Sequence, residues 1–194
     1  MFTPLTLPEA FTPAECDRII ALAQSEPLDE AGLVRNTADH NIRRAELAWL
    51  DDRAGAGWVM ERIIALVARA NREGFDFALT EFAESAQVAR YGAEREGHFD
   101  WHSDIGAGAV AARRKLTMVV QLSEPGGYQG GTLELWPDGF AREAQKARGA
   151  ATVFPSRLAG GVVAHRVVVA ACLVGACAHR CLRADCDAAR WVGD

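Results

Sequence analysis

The sequence predicts a mostly-β domain, a double-sheet jelly roll that carries helices from its N-terminal half. Three observations predict it. Apolar residues recur at helical spacing only before Gly74. Beyond it, short runs rich in β-branched residues follow one another between glycine-containing turns. Few helical segments separate those runs, so antiparallel pairing is more natural than a strand–helix–strand crossover.

The elements follow in order. Thr12-Pro13-Ala14-Glu15 reads as a helix start: Thr12 caps, Pro13 suits the first helical position, and Glu15 completes a capping box. The helix runs to about Gln24 and buries Cys16, Ile19, Ile20 and Leu22 or Ala23. Residues 43–50 read as a short strand or turn. Trp58, Val59, Ile63, Leu66 and Val67 place a second helix over 55–72. Strands are expected at 75–79, 86–91, 98–103, 115–122, 131–136, 151–154 and 164–170. Pro125-Gly126-Gly127 and Gly130-Gly131 mark turns between them. Residues 1–85 form a helical, mixed support region and 86–194 the barrel core, within one structural domain.

Bulk properties exclude several function classes. A chain of 194 residues suits one domain with a sizeable core. Its net charge of -5 gives no electrostatic case for nucleic acid or an anionic membrane as partner. The N-terminus lacks a basic segment followed by an apolar run, so no signal peptide is expected. The most apolar stretch, 161–178, holds His165 and Arg166 near its start and reads as buried strands. Five cysteines, an odd number without an export signal, point to reduced thiols and a cytoplasmic location.

The chemistry concentrates in Asp100-Trp101-His102-Ser103-Asp104 and in His165 far downstream. On a strand, residues two apart project from one face, so His102 and Asp104 would share it. With a distant imidazole they make a 2-His-1-carboxylate set, which leaves open positions on a metal and suits non-haem Fe(II) oxygenases. Asp100 lies on that face by the same alternation and is a further candidate ligand, or a residue supporting the ligands. His179 is a rival to His165. His98 reads as a loop or strand-edge residue, with help in binding substrate as the alternative, and His40 as solvent-exposed.

Tyr91-Gly92, the His102–Asp104 motif, Arg114-Lys115-Leu116-Thr117, Gln121-Leu122-Ser123, Gly130-Gly131-Thr132-Leu133-Glu134-Leu135, Phe154-Pro155-Ser156 and His165-Arg166-Val167 occur in this order. Together they resemble the Fe(II)- and 2-oxoglutarate-dependent dioxygenases, specifically the bacterial prolyl-4-hydroxylase-like branch. The resemblance is good over 86–156 and weaker over 1–85. It implies a double-stranded β-helix with iron in its mouth, held by His102, Asp104 and His165. It implies 2-oxoglutarate as cosubstrate, O2 consumed, and succinate and CO2 released as a C–H bond is hydroxylated. The substrate would be a protein side chain, prolyl among them, or a small molecule. Ascorbate dependence would follow from the family alone. Tyr91 would hydrogen-bond the cosubstrate; otherwise it is a core tyrosine.

One departure concerns the far carboxylate of 2-oxoglutarate. It needs a buried cation, best an arginine fork. The resembled family places an Arg or Lys about ten positions after the distal histidine, and here that position is Gly175. Arg180 and Arg183 are the nearest downstream cations. Arg180 is an odd number of residues from His165 and faces correctly only if a bulge or turn intervenes. Arg166 adjoins the ligand and points the opposite way. Lys115 is the other candidate, since some relatives with this barrel use a lysine on the strand after the metal motif. Trp101 and Trp136 read as packing residues. Arg43, Arg44 and Trp49 read as solvated or capping, with the substrate cleft as the alternative.

Cys172, Cys177, Cys181 and Cys186 fall in the tail with His179. They lack the tight pairs of common zinc modules, so buried apolar thiols are the default reading. Two other functions stay open: a catalytically degenerate jelly-roll binding module, and a cupin-like metal enzyme that does not use 2-oxoglutarate.

Overall fold

Leu5, Thr6 and Leu7 open the chain with a three-residue strand, β1 (Leu5–Leu7), too short to announce itself by periodicity. The computed structural model describes residues 3–27, 29–30, 43–50, 55–92, 96–163 and 171–177. Among them follow α1 (Pro13–Ser25), β2 (Asp29–Glu30), β3 (Arg43–Arg44), β4 (Glu46–Leu50) and α2 (Gly57–Ala70). Then come β5 (Ala86–Arg90), β6 (His98–His102), β7 (Arg114–Val120), β8 (Thr132–Leu135) and β9 (Arg142–Glu143). The series ends with β10 (Ala151–Pro155), β11 (Gly160–Val163) and β12 (Ala171–Cys177).

The strands build a sheet β1-β10-β7-β12, a facing sheet β3-β6-β11-β8-β9, and a small sheet β2-β4-β5. Every strand pairing among the described residues is antiparallel. This is the double-sheet jelly roll expected of a chain with few intervening helices.

The helices cover one face of the first sheet. Cys16, Ile19 and Ala23 of α1 and Val59, Ile63, Leu66 and Val67 of α2 join Leu116, Met118 and Val120 of β7 in one apolar core. That core also takes Ala48 and Leu50 of β4 and Ala86 and Val88 of β5, so it draws on both halves of the chain. Alternation turns Thr117 and Val119 to the other face of β7. There Val119 lines a cavity between the sheets with Thr152 of β10 and Leu133 of β8.

The capping box forms as the sequence predicts. The Thr12 amide donates to Glu15 Oε2 at 2.8 Å and the Glu15 amide to Thr12 Oγ1 at 3.2 Å. Arg62 of α2 donates to Glu15 Oε1 at 2.7 Å and to the Ala10 carbonyl at 3.2 Å, tying the two helices together. Gly149, at φ +77, lies so close to the Phe11 carbonyl that any Cβ would collide with it. The Phe11 amide donates to the Gly149 carbonyl at 3.0 Å, which closes the start of α1 onto the barrel.

The strand expected at 75–79 is not one. A π-helical turn, Asn71–Phe75, extends α2 and ends at Asp76 in the left-handed region, φ 56. Asn71 fixes the exit through its side chain, donating to the Phe77 carbonyl at 2.8 Å and accepting from the Phe77 amide at 2.9 Å. The alternation was real: Phe75 is buried, and Phe77 and Leu79 pack against the same core. Among the described residues no strand pairs with it along a ladder, and the segment is irregular. The strand expected at 164–170 lies outside the described residues. No described helix is long and apolar enough to cross a membrane.

Candidate metal centre

His102 ends β6, and a bulge decides what it faces. Gly160 pairs with His102 and Val162 with Phe99, so three steps along β6 match two along β11. The extra residue breaks strict alternation. Phe99 and His102 therefore meet as parallel rings, with centroids 3.4 Å apart and planes 14° apart. Asp100 consequently does not join His102 as a same-face ligand. Its side chain is exposed and accepts from the Trp101 amide at 2.7 Å. Its carbonyl lies 2.7 Å from His102 Nδ1.

That contact assigns the imidazole tautomer. A carbonyl only accepts, so Nδ1 carries the proton and a neutral ring keeps the lone pair on Nε2. Nε2 points at Asp104 Oδ1, 3.3 Å away. Asp104 lies beyond the strand, so the pair meets through a turn and not through the predicted alternation. The turn is held from three sides. The Asp104 amide donates to the Ser156 carbonyl at 3.0 Å. Its own carbonyl accepts from Arg114 Nη1 at 2.6 Å, and the Arg114 guanidinium forks onto Glu84. Its Oδ2 accepts from the Thr117 hydroxyl at 2.8 Å.

With the ring neutral, Nε2 and Oδ1 both present lone pairs to the space between them, which a metal ion can occupy. With 25% and 20% of their side-chain surfaces exposed, His102 and Asp104 are sheltered yet reachable from solvent. The backbone carbonyl behind the histidine and the hydroxyl behind the carboxylate are the supports metal ligands require. The donor set thus fits a hard or borderline divalent ion. Among the described residues no third His, Cys, Asp or Glu completes a metal-binding group. His165 and its rival His179 lie outside the described residues, as do Arg166, Arg180, Arg183, His40, Cys181 and Cys186.

Tyr91 is buried beside Leu47 and Ala89, with Phe99 packed against that cluster. A link of side chains thus runs from Tyr91 through Phe99 to the His102 ring. The loop between Tyr91 and β6 closes tightly: a Cβ on Gly97 would come within 2.8 Å of the Tyr91 backbone, so glycine is required there. Lys115 is partly buried on β7, two residues before Thr117 and hence on its face. Its carbonyl accepts from the Ser156 amide at 2.9 Å. β12 runs beside β7, with Ala176 opposite Leu116 and Cys177 opposite Arg114. Lys115 therefore neighbours the stretch of β12 that holds Gly175.

His98 turns back on its own loop, its Nδ1 2.8 Å from the Glu96 carbonyl. Trp101 and Trp136 pack edge to face on each other, centroids 5.5 Å apart, and both stay exposed. Trp49 of β4 is also exposed. Arg43 and Arg44 form β3, opposite Phe99 and His98 of β6. Thr117, Ser156 and Glu84 carry support roles that sequence reasoning did not assign. Thr117 and Ser156 sit in runs quoted for the resemblance, which was the available signal; Glu84 had none.

A family model for the 2OG-Fe(II) oxygenase superfamily matches residues 86–192. A search of curated proteins finds no sequence match. Among solved structures, a prolyl-4-hydroxylase from Pseudomonas putida superposes with a TM-score of 0.71 at 18% identity, over 92% of this chain and 94% of that one. A Trichoplax adhaerens prolyl hydroxylase, in complex with a peptide fragment of the hypoxia inducible factor oxygen degradation domain, gives 0.74 at 17% identity, over 90% of this chain and 83% of that one. A 2OG-Fe(II) family oxidoreductase from Burkholderia pseudomallei gives 0.61 at 19%, over 89% and 84%. At such identities the likeness speaks to the fold.

Proposed function

Because the chain belongs to the 2OG-Fe(II) oxygenase superfamily, we propose that His102 and Asp104, joined by His165, hold Fe(II) for the hydroxylation of a C–H bond. The observation that carries this reading is His102 Nε2 set 3.3 Å from Asp104 Oδ1, with His102 Nδ1 held at the Asp100 carbonyl and Asp104 Oδ2 at the Thr117 hydroxyl. When bound, Fe(II) with 2-oxoglutarate and O2 supplies the oxidising chemistry. The protein's part is to orient ligands and cosubstrate and to keep water out.

Asp100 holds the His102 tautomer through its carbonyl. Phe99 stacks on the ring and shields one side of it, and buried Tyr91 supports Phe99. The Tyr91 hydroxyl is our candidate for a hydrogen bond to the cosubstrate. For the far carboxylate of 2-oxoglutarate we favour Lys115 over Arg180. Gly175 brings no charge, and Lys115 sits on the neighbouring strand β7, between Leu116 opposite Ala176 and Arg114 opposite Cys177, on the Thr117 face. Residues 86–194 are the proposed catalytic part and 1–85 its support. A prolyl side chain in a peptide is the proposed substrate class, on the likeness to the peptide-bound Trichoplax enzyme. Ascorbate as auxiliary reductant and a cytoplasmic location remain parts of the same reading.

The test is an anaerobic titration of 2-oxoglutarate into the Fe(II)-loaded protein, followed in the visible range. A saturable charge-transfer band is expected, with succinate formed once O2 is admitted. Iron binding without a band would favour a degenerate binding module. Turnover that persists without 2-oxoglutarate would favour a cupin-like enzyme.

A further inference from the structure

We infer that Thr117 and Ser156 form a directed hydrogen-bond relay that selects which oxygen of Asp104 donates to the metal ion. This rests on the metal-centre reading above. Thr117 Oγ1 lies 2.8 Å from Asp104 Oδ2 and 3.0 Å from Ser156 Oγ. An ionised carboxylate accepts only, and a hydroxyl has one proton to give. The Thr117 proton therefore goes to Asp104, and the Ser156 proton goes to Thr117. Direction is fixed along the whole chain: Ser156 to Thr117 to Asp104.

Burial gives the relay its force. Thr117 is 1% exposed and Ser156 0% exposed, so solvent offers neither hydroxyl a substitute partner. Ser156 also grips the same turn by its carbonyl, which accepts from the Asp104 amide at 3.0 Å and the Ser103 hydroxyl at 3.0 Å. One residue thus fixes the backbone of Asp104 and, through Thr117, the rotation of its carboxylate. Oδ2 is engaged, and Oδ1 is the oxygen turned toward His102 Nε2. Thr117 is a positioning residue: it acts on the metal only through Asp104.

Thr117→Val keeps the shape and removes the donor; Thr117→Ser keeps the donor and removes a methyl. Co(II) is the probe, titrated anaerobically into the full chain, with affinity and the visible d–d spectrum as readouts. Thr117→Val should bind Co(II) about tenfold to a hundredfold more weakly, with a shifted d–d band, and Thr117→Ser should restore both. Wild-type affinity and band in Thr117→Val would overturn the relay. So would a Thr117→Ser protein as impaired as the valine variant, because the methyl and not the hydroxyl would then matter. If Thr117→Val fails to fold, Ser156→Ala carries the test: weaker Co(II) binding and a shifted band support the relay, and wild-type values overturn it. Wild-type protein that binds no Co(II), or binding that survives Asp104→Ala, would remove the metal-centre reading itself and the relay with it.

Discussion

The two faces of β7 answer to different physics. Leu116, Met118 and Val120 point into the helix-covered core, where the requirement is apolar volume. Thr117, one residue from each of two core side chains, points at Asp104, where the requirement is a single proton in one direction. The core side accepts apolar side chains of the right volume; the Asp104 side requires a hydrogen-bond donor. Substitutions of similar size on opposite faces should therefore fail in different assays.

The sharpest break is at the ligands. His102→Ala or Asp104→Ala should abolish stoichiometric Fe(II) binding while the far-ultraviolet circular dichroism stays that of the folded chain. Metal analysis after gel filtration checks it; retained iron in either variant would refute the ligand assignment. On the opposite face, Met118→Ala should cost about 2–5 kcal/mol in a denaturant titration, because the cavity is only partly relaxed. Metal affinity of the protein that remains folded should not change.

Those two faces were not equally legible in the sequence. The core face was, since helical spacing placed α2 and burial of Val59, Ile63, Leu66 and Val67 followed from it. The His102–Asp104 pair was found by its spacing, yet alternation was the wrong cause: a bulge in β6 and a turn held by Ser156 bring the side chains together. A bulge leaves no mark in residue type, and a turn clamped by a residue 52 positions downstream cannot be read locally. The alternation of Phe75, Phe77 and Leu79 reported burial correctly and pairing wrongly, because burial is local and pairing needs a neighbour. β1 and β9 are too short for any periodic pattern to show. β12 and most of β11 fall in the 161–178 stretch read as buried strands, but Gly160 and Gly161, without side chains, left the start of β11 unmarked.

Lys115 sharpens the comparison from the cosubstrate side. Lys115→Ala should weaken 2-oxoglutarate binding about tenfold to a hundredfold, the worth of a charge-assisted hydrogen bond. Fe(II) affinity and thermal midpoint should hold. The anaerobic charge-transfer titration measures it, and an unchanged half-saturation point would move the anchor to Arg180.

The smallest effect lies at the start of α1. Thr12→Ala should cost about 1 kcal/mol by removing the side-chain cap, as read by a denaturant midpoint. Glu15 makes this end pH-sensitive. Hydrogen bonding from the Thr12 backbone amide, with smaller help from the Thr12 hydroxyl and the Arg62 guanidinium, holds its carboxyl below the ordinary range. A carboxyl depressed on folding releases its proton more readily in the native state. Its contribution is complete above the unfolded-state pKa, about 4.3, and fades as pH falls through the lower native value. Glu15→Gln keeps a side chain able to accept the Thr12 amide but cannot titrate. Its stability should therefore fall less steeply than wild type below about pH 4.3, while Met118→Ala should keep the wild-type slope. Equal slopes for Glu15→Gln and wild type would mean that the capping box holds α1 by geometry alone.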